Sequence, residues 1–231
     1  MNSRRHLHLT LLAFFLAGVL IILRPPLPAS AQEAGAQEPA AKPFEFSGDK
    51  TSISFIEGDR TSILEGNARI SSDELMIRAD RIELSGEDFR YVRCSGEVEL
   101  NDAKQGIRLT SGSLFFDRRK ELLRVRDYGE MVDLKNEVVV KFGYMEHFSL
   151  EDLSIFQIAV RILKVDEEGE MISRSDYARY DHAANTLELS GSPSVIWNGD
   201  RYRALRIRID LDTEEIQMDG AVEGEVSPKN E

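Results

Sequence analysis

The side chains suited to acid–base or nucleophilic chemistry are few in this chain of 231 residues, which has four histidines and one cysteine. His147 lies in Met145-Glu146-His147-Phe148 and His182 follows Tyr180-Asp181. Neither has a Ser or Cys in a recognisable nucleophile setting, so both are expected at surface or edge positions rather than in catalysis. The acidic run Asp166-Glu167-Glu168-Gly169-Glu170 invites a calcium reading. It lacks the alternating oxygen ligands of a binding loop and reads as a hairpin turn. The 41 acids can be paired in many ways, so no pair stands out for glycoside hydrolysis. Cys94 alone excludes an intramolecular disulfide or a thiolate zinc cluster, and is expected to be a small core residue. Arg90, Arg93, Arg118, Arg119, Arg124 and Arg126 form a local basic cluster, read as solvated strand faces or as a phosphate-contacting rim. Trp197 precedes Asn198-Gly199, a hairpin signal, and is expected to pack at a strand end. No nucleotide-binding loop occurs, so neither catalysis, metal nor cofactor is expected.

These residues sit on an acidic chain with 29 bases, 41 acids and a formal charge of −12. Arg4 and Arg5 precede an apolar run from Leu7 to Leu23, followed by Pro25-Pro26-Leu27-Pro28-Ala29-Ser30-Ala31. A basic start, an apolar middle and a small-x-small end predict a secretory signal over 1–31, cleaved after Ala31. An uncleaved anchor is the rival reading, because the run is close to the length that spans a bilayer. The remaining 200 residues hold 26 bases against 41 acids, a charge of −15. Such a surface repels phosphate backbones, so no nucleic-acid partner is expected. Residues 32–43 read as a flexible leader, 44–226 as the folded domain and 227–231 as a tail.

The elements that would position these groups are strands. From Phe44 onward apolar and polar residues alternate, as in half-buried strands, and β-branched and aromatic residues occupy most apolar positions. Gly66, Gly96, Gly129, Gly191 and Gly220 recur at about 31 residues, with one unit skipped near Ile158. Within each unit the apolar parity switches, as from Leu75, Ile77 and Ala79 to Ile82 and Leu84. A parity switch inside one strand marks a corner where the chain passes from one sheet to another while keeping the same face inward. The prediction is an all-β protein, an elongated open β-jelly-roll of ten to twelve stacked antiparallel strands. The inward positions are Ile70, Leu75, Ile77, Ile82, Leu84, Val98, Leu100, Ile107, Leu109, Leu114, Phe116, Val138, Val140, Phe142, Ile207 and Ile209. They form either a dry core or, where the sheets splay, an apolar groove for acyl chains. The end strands, around Thr51 to Phe55 and Glu215 to Val226, carry few blocking prolines and could recruit another strand, giving head-to-tail self-association.

Leu64-Glu65-Gly66-Asn67-Ala68-Arg69-Ile70 and Ile77-Arg78-Ala79-Asp80-Arg81-Ile82-Glu83-Leu84 resemble motifs of the LptA/OstA lipopolysaccharide-transport family. Weaker echoes follow at Ser95 to Leu100, Ser175 to Asp181 and Met218 to Val222. The resemblance implies a periplasmic carrier or bridge that binds lipopolysaccharide or a related glycolipid by its acyl chains. Its implied partners are an inner-membrane LptC-like protein and an outer-membrane LptD-like protein of similar fold. The alternatives are a membrane-anchored LptC-like component and a β-solenoid scaffold or polysaccharide-binding protein.

Overall fold

The computed structural model describes residues 43–56, 59–72, 74–167 and 169–227. The expected signal, most of the leader and most of the tail lie outside them. Among the described residues the chain forms eighteen strands and one 3-10 turn, Glu87–Phe89. The first six strands are β1 (Glu45–Ser47), β2 (Lys50–Ile56), β3 (Asp59–Ser71), β4 (Leu75–Ser85), β5 (Tyr91–Asp102) and β6 (Ile107–Asp117). Then come β7 (Leu122–Val125), β8 (Gly129–Asp133), β9 (Val138–Phe142), β10 (Tyr144–Phe148), β11 (Leu153–Asp166) and β12 (Gly169–Asp181). The last are β13 (Thr186–Ser190), β14 (Ser194–Trp197), β15 (Asp200–Arg203), β16 (Arg206–Asp210), β17 (Ile216–Asp219) and β18 (Glu223–Glu225).

Every pairing is antiparallel. This excludes the solenoid alternative, whose coils stack parallel strands. The registers trace two ladders. One runs β1, second half of β3, first half of β4, second half of β5, first half of β6, β8, β9, second half of β11, first half of β12, β14, β15, β18. The other runs β2 and the complementary halves, then β7, β10, the first half of β11, the second half of β12, β13, β16 and β17. The chain is thus an all-β jelly-roll whose strands turn from one sheet into the other. The strand count exceeds the expected ten to twelve because the corner splits six crossings, such as β7 and β8, into two strands each; counting each crossing once gives twelve.

The parity switches mark this corner. Registers slip between Glu65 and Ala68, Arg78 and Arg81, Ser95 and Val98, and Gln157 and Val160. At Gly66-Asn67, Gly96-Glu97, Ile158-Ala159, Gly191-Ser192 and Gly220-Ala221 two consecutive residues adopt positive φ, between 40° and 75°. The close approach of the neighbouring crossing explains why glycine leads most of these pairs. A Cβ on Gly96 would lie 2.9 Å from Asp80 Cβ, and one on Gly191 would lie 2.7 Å from Asp176 Cβ. The aspartates of the Ala79-Asp80-Arg81 and Ser175-Asp176-Tyr177 motifs therefore cover the glycine turn of the next crossing.

Gly129 does not belong to this series. It opens β8 outside the positive-φ residues, and a Cβ there would lie 2.7 Å from Phe142 Cζ. Packing rather than a turn requires that glycine, and the corner of its unit falls at Gly112 opposite Asp127.

Ile158 stands where the fourth unit should have its glycine, at φ 68°. A β-branched residue in the left-handed region is strained by about 1–2 kcal/mol. Because its side chain is 61% exposed, little burial offsets the strain. Ile158→Gly should therefore stabilise the protein by about 1 kcal/mol, read as a higher midpoint in urea unfolding; an unchanged or lower midpoint contradicts this account.

Candidate functional site: an apolar cavity bounded by a buried polar network

All sixteen predicted inward positions are turned to the interior. Fourteen are buried, and Leu75 and Phe116 are half-buried against the same core. They divide into two groups. Ile70, Leu75, Ile77, Leu100, Ile107, Leu109 and Phe116 line a cavity of about 130 Å³ between the sheets. Ile82, Leu84, Val98, Leu114, Val138, Val140, Phe142, Ile207 and Ile209 are buried in the core away from that lining. Phe44, Val92, Leu123, Met131 and Met145 complete the apolar wall. They were missed because the sequence pattern gives each residue's face but not where two faces separate.

The cavity opens on the side opposite the corner, where hairpins of the two sheets meet. Ser72, Glu74, Asp102, Lys104, Gln105, Arg118, Glu121 and Ser149 supply its polar lining. Phe44 lies at this mouth. Its ring is 6.5 Å from that of Phe89, and the Arg118 guanidinium carbon is 4.0 Å from its centroid, a cation–π contact. Arg118 also donates to the carbonyls of Asp88 (2.9 Å) and Phe89 (3.1 Å). Burial pulls its pKa below the ordinary value, partly offset by Asp88. Of the six arginines in the basic cluster, only Arg118 lines the cavity. Four others form cross-strand or hairpin ion pairs: Arg90 with Asp117 (3.0 Å), Arg93 with Glu83 (3.5 Å), Arg119 with Glu87 (2.9 Å) and Arg124 with Glu146 (2.6 Å).

The histidines contradict the sequence expectation. His147 and His182 are buried, 4% and 9% exposed, because alternation places both on inward positions of the second sheet. They belong to a chain of contacts that crosses the interior. Asp133, at the end of β8, lies 3.0 Å from His182 Nδ1. His182 Nε2 is 2.8 Å from Ser154 Oγ, which is 2.9 Å from His147 Nδ1. His147 Nε2 is 2.9 Å from Gln105 Oε1, and Gln105 Nε2 donates to the Ser149 carbonyl at 3.1 Å. The Tyr180 hydroxyl donates to Asp133 at 3.0 Å. No short motif could have revealed this set, since directly bonded partners in it lie up to 49 residues apart.

Asp133, His182 and Ser154 are spaced like a hydrolytic triad, but the polarity runs the wrong way. The Ser149 carbonyl can only accept, so it fixes the Gln105 amide and leaves Oε1 as an acceptor. His147 then donates from Nε2 and Ser154 donates to His147 Nδ1, so the single Ser154 hydroxyl proton is directed at His147. That proton is not directed at His182, as a general base would require, and Ser154 is 0% exposed. Burial alone would raise the Asp133 pKa, but hydrogen bonds from His182 and Asn136 hold it down to about 2. Burial, reinforced by the His182 charge, lowers His147 to about 3. Burial and then the Asp133 charge raise the Tyr180 phenol. Among the described residues no acidic, His or Cys group is arranged to hold a metal ion.

Cys94 is buried in the core as expected, and burial pushes its thiol up to about 12. Within the acidic run Asp166 pairs with Gly169 across the β11–β12 hairpin, Glu168 lying outside the described residues, and Asn198-Gly199 forms the β14–β15 hairpin with Trp197 packed on the core.

No protein-family model matches the chain, and no curated protein matches it. Among solved structures it is similar to LptH, described as the LptA-homologous periplasmic component of the conserved lipopolysaccharide transport device from Pseudomonas aeruginosa. The identity is 10%, covering 81% of this chain and 96% of that one, with a TM-score of 0.24. The architecture rests on the strand registers, independently of that likeness.

Proposed function

We propose that the protein is a non-enzymatic periplasmic lipid carrier that takes acyl chains of lipopolysaccharide or a related glycolipid between its sheets. It passes them toward the outer membrane, with LptC-like and LptD-like proteins as its partners. The observation that carries this reading is the apolar cavity, walled by both sheets and opening through a polar mouth. An acyl chain entering it gains about 0.8 kcal/mol for each methylene removed from water. A void of about 130 Å³ is close to that of a dry engineered cavity that accepts one benzene, about 150 Å³. A multi-chain lipid therefore requires Phe44 to leave the mouth and the sheets to part there. The headgroup stays outside, where the protein is acidic. The sequence signal for export supports the compartment, and the edge strands support docking: on β2, Ile53 and Phe55 are 45% and 73% exposed.

Photocrosslinking with lipopolysaccharide micelles tests the reading. Probes at inward Ile77 and Leu109 should label, and probes at their outward neighbours Arg78 and Arg108 should not. Equal labelling on both faces overturns the lipid-carrier reading.

A further inference from the structure

A carrier that passes lipid along its length needs an apolar interior that continues from end to end, and this interior does not. Every residue lining the cavity lies between Pro43 and Ser149. At the boundary, Gln105 from the first sheet meets His147 and the Ser149 carbonyl from the second, at 2.9 and 3.1 Å. Immediately beyond, Asp133 from the first sheet meets His182 and Tyr180 from the second, each at 3.0 Å. Tyr180 is also 3.2 Å from Asn185, which donates to Asp212 at 2.6 Å. These groups fill the side of the interior opposite the corner. On the corner side Phe142 and Phe156, both essentially inaccessible, pack with ring centroids 5.3 Å apart and planes tilted by 40°. Past them the inward residues Leu187, Leu189, Val195, Ile207 and Ile209 are at most 1% exposed.

We propose that this layer is a partition: the Gln105, His147, Ser154, His182, Asp133 and Tyr180 network confines bound acyl chains to the half of the sandwich built from β1 to β10. The inference rests on the lipid-carrier reading and adds where the lipid stops. A hydrocarbon chain offers no hydrogen bond, so threading it through this layer would strip partners from a buried carboxylate and two imidazoles. Staying in the existing cavity breaks none of them. Lipid must then enter and leave sideways through the mouth beneath Phe44, and Gln105 and His147 form the floor that limits how deep a chain reaches.

Three aromatic positions tolerate p-benzoylphenylalanine as a near-isosteric probe: Phe116 in the cavity lining, and Trp197 and Tyr202, half-buried against the core beyond the partition. Each full-length variant is checked for retained β-sheet circular dichroism, then irradiated with lipopolysaccharide micelles. The Phe116 probe should form the lipid adduct with a yield at least about tenfold above either other position, the ratio that a 1.4 kcal/mol preference produces. Adducts at Trp197 or Tyr202 within tenfold of Phe116 overturn the partition while leaving the lipid-carrier reading standing. No adduct at any of the three overturns the carrier reading and the partition with it.

Discussion

Lowering the pH from 6.5 to 4 should cost the folded state roughly 3 kcal/mol through His147 alone, at 1.36 kcal/mol for each unit by which pH falls below the unfolded pKa. In the unfolded chain this imidazole titrates at its ordinary 6.5, whereas in the fold burial and the His182 charge hold it down to about 3. Between those values the unfolded state binds the extra proton, so stability rises with pH. The contribution is fully present above 6.5 and is lost as the pH falls toward 3. Asp133 acts in the same direction lower down: its carboxyl, held at about 2, contributes stability above the ordinary carboxylate range that disappears as the pH falls through 2. The groups facing His147 account for the size of the effect. Ser154 and Gln105 occupy its two nitrogens, and the His182 ring is 5.6 Å away, edge-on. None of them offers the anion that an imidazolium would need, and Asp133 is already engaged by His182. Urea unfolding at a series of pH values measures the slope. His147→Asn, which keeps an acceptor for Ser154, should flatten the curve between pH 6.5 and 4 whatever it costs at neutral pH. An unchanged slope in that variant would falsify the assignment to His147.

Periodicity made the fold legible. Alternation set the inward face of β3, β4, β5, β6, β9 and β16, the parity switches located the corner, and the glycine period found the unit in which Ile158 replaces the glycine. Gly129 misled because its spacing fits the turn series while its role is to admit the Phe142 ring. The candidate site was legible only in part. Inward-facing residues share one pattern whether they pack in a dry core or line a cavity, since that depends on the separation of the sheets. The polar network was hidden for a different reason. The nucleophile patterns sought around His147 and His182 are local, whereas Asp133, Ser154 and Gln105 come from three other elements. The available signal was weaker: alternation puts His147 in phase with Met145, and both are buried. A histidine in phase with core residues requires partners from across the sheets.

Removing the Asp133 side chain should cost about 3–5 kcal/mol of stability for Asp133→Ala, because it strips several donors of one buried acceptor at once. This carboxylate accepts from the Tyr180 hydroxyl, His182 Nδ1 and Asn136 Nδ2, and from the backbone N–H groups of Lys135 and Asn136 in the β8–β9 hairpin. Truncation leaves the Tyr180 hydroxyl, His182 Nδ1 and the hairpin N–H groups buried without their common acceptor. Asp133→Asn separates the two roles. Its side-chain oxygen still accepts from the hairpin N–H groups, so whatever Asn restores belongs to the turn, and the remaining loss belongs to the charge. The exposed pair of Arg93 with Glu83 at 3.5 Å sets the scale for an ordinary surface contact, and Glu83→Ala should cost no more than about 1 kcal/mol. Urea midpoints at constant slope give all three numbers. If Asp133→Ala costs no more than Glu83→Ala, the buried network does not hold the two sheets together and Asp133 is not its anchor.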